Sequence, residues 1–575
     1  MVEYKLAFKP AKHGFGDHDP SAVIFEGNSP VYGIEEERLT REKHAQNTFP
    51  YHAIKSCLEA VGVSLSELDE IILPYDPDLW LDTDFVIANY KREIALETDP
   101  DEVSHLLGVV DQYLSLWHDA VDEVKAKLRE LDGSEPLPPV TTRVHHACHA
   151  ASAFHLSPFE QSTVLTIDGC GETDSTVVWH GTERGLERVR TYKYPNSLGQ
   201  FFGTITEYLG FRYGNGEGKV MGLASYGNRN EQIENELYKH VSDGVDYDVT
   251  GLTDSGVRAG LNRLESWFDR PRKTCTEQFD QWERDLAYTA QKFLENTVTS
   301  IVEEYCTELD CRNVSLSGGV VLNCKMNKQI IESESVADTF IQPVANDAGL
   351  ALGAGLVGED PTSVEPMSTV YYGPSYSDDE ITALLEREGI KYTQPEQLER
   401  VVAELIADGA LVGWFQHRTE MGPRALGNRS ILADPRTEES RYAINEYVKH
   451  REQWRPFAPS MTADAADEYL VDADQASFMI RAFDVTEKAK QDIPAVIHSA
   501  DQTTRPQIVT ENANSRYHRL LTEFGDLTGV PVLLNTSFND NGEPIVNTPM
   551  EALDDFFSTE LDVLVLGGAV IQKEG

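Results

Sequence analysis

Short apolar runs separated by polar elbows open the chain. Leu6-Ala7-Phe8, Ala22-Val23-Ile24-Phe25 and Val31-Tyr32-Gly33-Ile34 are divided by Asp17-His18-Asp19-Pro20 and Gly27-Asn28, which predicts three short strands around tight turns over residues 4–34. Residues 162–190 repeat the plan. There Val164-Leu165-Thr166-Ile167, Thr176-Val177-Val178-Trp179 and the run 186–189 are divided by residues 168–174 and by the turn at Gly181. Between 51 and 139 the apolar period is mostly helical, and residues 103–131 place Leu106, Leu107, Val110, Leu114 and Trp117 as a packing stripe. The polar stretch 358–363 and the turn Tyr371-Tyr372-Gly373-Pro374 read as a linker, after which new patterns begin. The expected division is a first domain over 1–365 and a second over 366–575.

A strand, elbow, strand, turn, strand unit that occurs twice, each copy followed by helical sequence, predicts a duplicated α/β domain with a cleft between its halves. That is the plan of the actin and sugar-kinase ATPases (ASKHA). With 575 residues, 40% of them hydrophobic, the chain can build at least two cores. Charge narrows its setting. Against 49 basic residues stand 96 acidic ones, a net charge of -47 spread along the chain rather than gathered in a tail. Such a surface suits very high salt, where screening removes self-repulsion, and the expectation is a halophile's cytoplasmic protein. The same field argues against a nucleic-acid partner, since phosphate contacts need clustered Lys and Arg. Seven dispersed cysteines without a Cys-x-x-Cys pair make a disulfide framework improbable. There is no basic and apolar leader, and no run reaches the roughly 18 apolar residues of a membrane span, so a soluble protein without a membrane partner is expected.

Candidate chemistry begins at Val144-His145-His146-Ala147-Cys148-His149-Ala150. Two imidazoles four residues apart share one helix face at chelating distance. Asp168, at the end of the run 163–167, could complete a nitrogen-plus-oxygen ligand set. Two histidines at this spacing are also often a half-exposed polar face, so the pair needs company. Asp347, in Asn346-Asp347-Ala348-Gly349, is either a helix N-cap or a further ligand. Gly318-Gly319 ends an apolar strand and opens a helix carrying Asn323, where backbone N–H groups could approach a phosphate or ribose, or where the glycines only pack tightly. Lys219 in Gly214-Asn215-Gly216-Glu217-Gly218-Lys219 could meet an anion or be solvated. In the second domain Arg418, Arg424, Arg429, Arg436, Lys449, Arg451, Arg455 and Arg505 form a basic exception in an acidic chain, and together they suit several phosphates. Ser537, after the apolar run 530–535, could bind phosphate or cap a turn.

Longer motifs carry a resemblance. Ile34-Glu35-Glu36-Glu37-Arg38 with Thr40-Arg41-Glu42-Lys43-His44, the His145–Ala150 run, Glu217-Gly218-Lys219-Val220-Met221-Gly222-Leu223-Ala224, the run 421–430, Trp454-Arg455-Pro456-Phe457-Ala458-Pro459 and Leu534-Asn535-Thr536-Ser537-Phe538-Asn539 resemble the NodU/CmcH-type carbamoyltransferase family over nearly the whole chain. The resemblance implies an N-terminal actin-like domain related to the universal tRNA threonylcarbamoyl transferase and a C-terminal YrdC-like α/β domain. The latter would make carbamoyladenylate from carbamoyl phosphate and ATP, with magnesium. The former would pass the carbamoyl group to a hydroxyl of a small-molecule or glycan acceptor. Carried over, His145, His149, Asp168 and Asp347 would hold a divalent ion, iron(II) first, with manganese or zinc as substitutes. His18 and Lys43 would lie by the transferring carbamoyl, with His18 as the candidate base. Arg424, Lys449, Arg455, Arg505 and Ser537 would bind carbamoyl phosphate and ATP. The chain departs from the family in the stretch Lys9–Gly16, where His13 competes with His18, and in Asp501-Gln502-Thr503-Thr504, which lacks a usual glycine. A macromolecular acceptor (tRNA or protein) and a non-catalytic nucleotide-binding scaffold are the competing readings.

Overall fold

The computed structural model describes residues 3–11, 18–81, 100, 103–104, 107–108, 117–133, 136–274, 278–473 and 476–573. Its contacts divide the chain into two units, Met1–Glu36 with Ala45–Met367, and Glu37–His44 with Ser368–Gly575. The excursion 37–44 has no counterpart in the hydrophobic pattern.

The first unit holds two five-stranded sheets. One comprises β1 (Tyr4–Lys9), β2 (Ser21–Glu26), β3 (Ser29–Glu35), β4 (Glu70–Leu73) and β5 (Val140–Thr142), in the order β3-β2-β1-β4-β5. The other comprises β6 (Ser162–Gly171), β7 (Asp174–Thr182), β8 (Gly185–Lys193), β9 (Asn313–Ser317) and β10 (Asp338–Ile341), in the order β10-β9-β6-β7-β8. In each, the first strand pairs antiparallel with its hairpin neighbour and parallel with a strand far along the chain. The duplication is therefore one of topology. Gly27 at φ 60° and Gly185 at φ 100° close the two second hairpins, backbone positions that a Cβ disfavours. Leu6, Ala7, Phe8, Val23 and Ile24 are fully buried in sequence, because strands covered on both faces lose the polar alternation.

Of the expected helical stripe, Trp117 is buried and stacks on Trp80 at 4.8 Å, while Leu107 is 54% exposed. Leu106, Val110 and Leu114 lie outside the described residues, as does His13. A described helix runs from Ala120 to Asp132. The helix His145–Phe154 packs on β6 and β9 and against the helix Leu350–Ala354, which in turn packs on β1. Gly353 permits that crossing, since a Cβ there would stand 1.8 Å from the Cys148 carbonyl oxygen.

The second unit is built on a seven-stranded mixed sheet. Its strands in chain order are β11 (Val412–Phe415), β12 (Arg429–Ala433), β13 (Ala458–Met461), β14 (Phe483–Asp484), β15 (Thr503–Thr504), β16 (Gln507–Ile508), β17 (Val532–Ser537), β18 (Val563–Leu566) and β19 (Ala569–Gln572). The sheet order is β16-β13-β17-β12-β11-β18-β19, with β14 and β15 paired separately. Successive residues feed opposite cores. Phe415, Ile431 and Leu534 lie in one, and Trp414, Leu432 and Leu533 in the other, as the pleat requires. The chain is thus mixed α/β throughout. Among the described residues no helix is long and apolar enough to cross a membrane.

Candidate metal centre and anion site

In the first unit His145 and His149 lie on one face of their helix with ring centroids 4.8 Å apart. Asp168 stands where β6 loses register with β7, between Ile167 and Gly171, so its side chain leaves the ladder and turns toward the imidazoles. Asp347 opens the short 3-10 turn Asp347–Gly349. It does not cap that turn. Asn346 holds the cap position, and the Asp347 carboxylate faces the histidines instead. His149 Nε2 lies 3.0 Å from Asp168 Oδ2 and 3.8 Å from Asp347 Oδ1, and His145 Nε2 lies 3.6 and 3.9 Å from the same two atoms. One donor atom from each of the four falls within 4.8 Å of every other.

The quartet is held by its surroundings. The His145 ring rests where any Cβ on Gly171 would come within 2.5 Å. Its backbone N–H donates to Glu172, a carboxyl raised by burial to about 7. His149 Nδ1 pairs with Ser317 Oγ at 3.2 Å, a partner of the kind that fixes a ligand's tautomer. Burial alone would lower the His149 imidazole, but the carboxylates of Asp168 and Asp347 outweigh it and raise it to about 9. Burial opposes ionisation of Asp347 as well, yet the Lys9 ammonium at 3.1 Å and the histidines hold its carboxyl well below the usual range. His145 Nε2 is buried and without a hydrogen-bonding partner. An orphaned imidazole nitrogen facing two carboxylates, with no thiolate in the set, fits a divalent cation of borderline or hard character.

His18 stands beside this quartet. Its Nδ1 contacts Asp19 Oδ2 at 3.0 Å, and its side chain is 43% exposed. Burial lowers the imidazole, but Asp19 and Asp347 together leave it above its ordinary value. Lys9 was not singled out from the sequence. It is fully buried and donates to the His18 carbonyl as well as pairing with Asp347. Its signal was a second lysine, after Lys5, closing a strand whose middle is apolar.

The glycine pair behaves differently from the phosphate cradle that sequence allowed. Gly318, at φ 102°, lets β9 run against β6, since a Cβ there would lie 2.2 Å from the Ile167 oxygen, and Gly319 abuts Asp168. The pair is followed by a 3-10 turn, Gly319–Leu322, and only then by the helix Cys324–Ile331. The Asn323 side chain caps that helix and exchanges two hydrogen bonds with Gln291, at 2.8 and 2.9 Å.

The second unit sorts its basic residues. Arg429 is fully buried, lies 3.6 Å over the Phe415 ring and donates to the carbonyls of Gln416, His417, Asn428 and Pro374. Arg436 is clamped on Asp434, and Arg418 donates to the carbonyls of Tyr372 and Gly373. These three arginines serve the fold, a correction to the view that all eight suit phosphates. A second group is crowded. Lys449 emerges from a π-helical turn, Ile444–Val448, a feature frequent at functional sites. Its ammonium, 4% exposed, donates to the Ser537 and Asn539 carbonyls at 2.6 and 2.7 Å and to Asn539 Oδ1 at 2.7 Å. Burial, then the charges of Arg451, Lys43 and Arg455, hold Lys449 well below its usual value. Burial and the charges of Arg455 and Arg505 do the same to Arg451. Arg451 reaches Asn445 through Nε, but its buried Nη2 has no hydrogen-bonding partner. Arg455 keeps one acidic neighbour, Glu452, at 3.7 Å, and Arg424 is half-buried in the loop before β12. The Ser537 hydroxyl donates to Asn539 Oδ1 at 2.6 Å, and the Lys43 ammonium reaches the Glu543 carbonyl at 3.4 Å. In a chain of net charge -47, cations pressed together with few carboxylates between them make a candidate anion site.

The carbamoyltransferase N-terminus model matches residues 13–356 and the carbamoyltransferase C-terminus model residues 403–573. The chain belongs to the carbamoyltransferase family. It is 36% identical to the nodulation protein NolNO of Sinorhizobium fredii over 97% of this chain and 79% of that one. It is 36% identical to the nodulation protein NolO of Bradyrhizobium diazoefficiens over 75% of this chain and 78% of that one. Among solved structures, HypF of T. kodakarensis aligns with 62% of this chain and 48% of its own at 15% identity and a TM-score of 0.30. The protein is accordingly a transferase that moves carbamoyl groups.

Proposed function

We propose that the chain is an ATP-dependent O-carbamoyltransferase that works in two steps. In the second unit, read as YrdC-like, water cleaves carbamoyl phosphate to carbamate and phosphate, and a carbamate oxygen then attacks the α-phosphorus of magnesium ATP, giving carbamoyladenylate as pyrophosphate leaves. The first unit, read as actin-like from its duplicated sheet order, passes the carbamoyl group to a hydroxyl of a small-molecule or glycan acceptor. The observation that carries this reading is the crowd of Lys43, Lys449, Arg451, Arg455 and Arg505. Joining a carbamoyl group to a nucleotide brings phosphates together, and that needs cations arranged in advance.

In the first unit His145, His149, Asp168 and Asp347 would hold the divalent ion, iron(II) with manganese or zinc as substitutes. When bound, such an ion supplies a Lewis acid for the carbamoyl carbonyl. The chain's own residues do the rest. Lys9 neutralises Asp347 and orients it. His18 accepts the acceptor's hydroxyl proton as the new carbon–oxygen bond forms and AMP leaves with the electrons of the broken one. The acidic surface suits a cytoplasm of high salt and an acceptor other than nucleic acid.

The test is incubation with ATP and carbamoyl phosphate in high salt without acceptor, followed by mass spectrometry. Carbamoyladenylate should accumulate. Arg424→Ala should abolish it, while His149→Ala should spare it and block onward transfer. The reverse pattern overturns this division of labour, and no adenylate from folded, metal-loaded protein favours a nucleotide-binding scaffold.

A further inference from the structure

Glu217 and Tyr213 belong to the glycine-rich loop after the helix Leu198–Tyr208 and to the start of the helix Glu217–Ala224. Neither has been given a role. Tyr213 lies in a slot made by missing side chains. A Cβ on Gly203 would stand 2.3 Å from its ring, and a Cβ on Gly169 would stand 3.7 Å from its hydroxyl. Gly169 is the residue next to Asp168, and its N–H donates to that carboxylate at 2.6 Å. The phenol thus ends at the rim of the metal quartet, near enough for the charges of Asp168 and Glu217 to reach it. Glu217 accepts the Gly214 N–H at 2.8 Å through Oε1, and its carboxylate lies within electrostatic reach of His18. Among the described residues the Tyr213 hydroxyl and His18 Nε2 meet no hydrogen-bonding partner, and the Glu217 carboxylate, held by the backbone N–H groups of Gly214, Gly216 and Glu217, has acceptor capacity left. Three such groups around one centre await donors and acceptors from a ligand.

We infer that Tyr213 and Glu217 are the positioning residues for the acceptor, and that the acceptor presents a second hydroxyl beside the one that is carbamoylated. A lone hydroxyl delivers its proton to His18 and has none left for a carboxylate. A neighbouring hydroxyl donates to the Glu217 carboxylate and accepts from Tyr213, which fixes the reacting oxygen over the quartet. The acceptor class is a vicinal diol or polyol. This inference rests on the proposed transfer reaction.

The test supplies glycerol and methanol as acceptors to the full-length, iron-loaded protein with ATP and carbamoyl phosphate, and reads the carbamate esters by mass spectrometry. Pyrophosphate release without acceptor reports separately on adenylate formation and on folding. The wild-type protein should carbamoylate glycerol in preference to methanol. Glu217→Gln and Tyr213→Phe should each raise the KM for glycerol by about tenfold or more, with the methanol reaction little altered. Three results overturn the inference: equal use of the two alcohols, use of neither while pyrophosphate is released, or glycerol kinetics unmoved by both substitutions. Absence of pyrophosphate release instead counts against the two-step function itself.

Discussion

Arg505→Gln separates function from stability. The Arg505 guanidinium is half-buried, meets no hydrogen-bond or ion-pair partner among the described residues, and adds its charge to the burden on Arg451. Removing its charge costs the resting fold no hydrogen bond or ion pair among the described residues and relieves a like-charge repulsion. The protein should gain up to about 1 kcal/mol, the scale of an exposed charge pair, read as a melting temperature unchanged or higher by up to about 3 °C. Carbamoyladenylate formation should move the other way. A guanidinium on a phosphate contributes charge-assisted hydrogen bonds of roughly 1.5–3 kcal/mol, so its loss should slow the step by about tenfold to a hundredfold. The assay pairs thermal unfolding in high salt with pyrophosphate release, each with and without inorganic phosphate. Phosphate should raise the melting temperature of the wild-type protein more than that of the variant, because it binds only the folded anion site. A variant that melts well below the wild type, or one that forms adenylate at the wild-type rate, refutes the reasoning.

The opposite sign is expected at Arg429. Arg429→Lys leaves several of its four carbonyl acceptors without a donor in a fully buried setting and should cost about 2–4 kcal/mol in urea unfolding; a change below about 0.5 kcal/mol would count against a purely architectural role. The transfer step should follow His18. Asp19 and Asp347 raise this imidazole above its ordinary 6.5, and a base acts in its neutral form, so transfer should be slow in acid and rise as pH passes through a midpoint above 6.5. His18→Asn should remove that limb from a pH–rate profile, and an unaltered limb would reassign the base.

The sequence exposed what depends on local order. Strand runs and glycine turns are short-range signals, and the two imidazoles announce a shared face by spacing alone. Asp168 was legible because it ends an apolar strand, but the register break that aims it was not. Asp347 stood undecided between capping and ligation, since only its partners across the fold distinguish the two. Lys9 escaped notice because lysines near the ends of a short strand look like exposed edges until both faces prove covered. The arginines could be counted but not ranked. Arg429 is fully buried and Arg451 half-buried, both lie over phenylalanine rings, and what differs is that the Arg429 guanidinium meets four carbonyls while a buried Nη2 of Arg451 meets none. Asn323 likewise drew attention as a ligand group, while its hydrogen bonds go to a helix end and to Gln291, 32 residues earlier.

The octapeptide Glu37–His44 has a consequence for the gene. It is coded between two elements of the first unit, yet Arg38 and Arg41 donate to the carbonyls of Gly422, Pro544 and Ile545 in the second. A reading frame cut at codon 368 therefore yields a carboxy-terminal product stripped of a buried arginine and of the plug that fills its wall. Shuffling halves between homologues at that junction would pair each scaffold with a foreign plug, so viable chimaeras should need the octapeptide carried along with the tail.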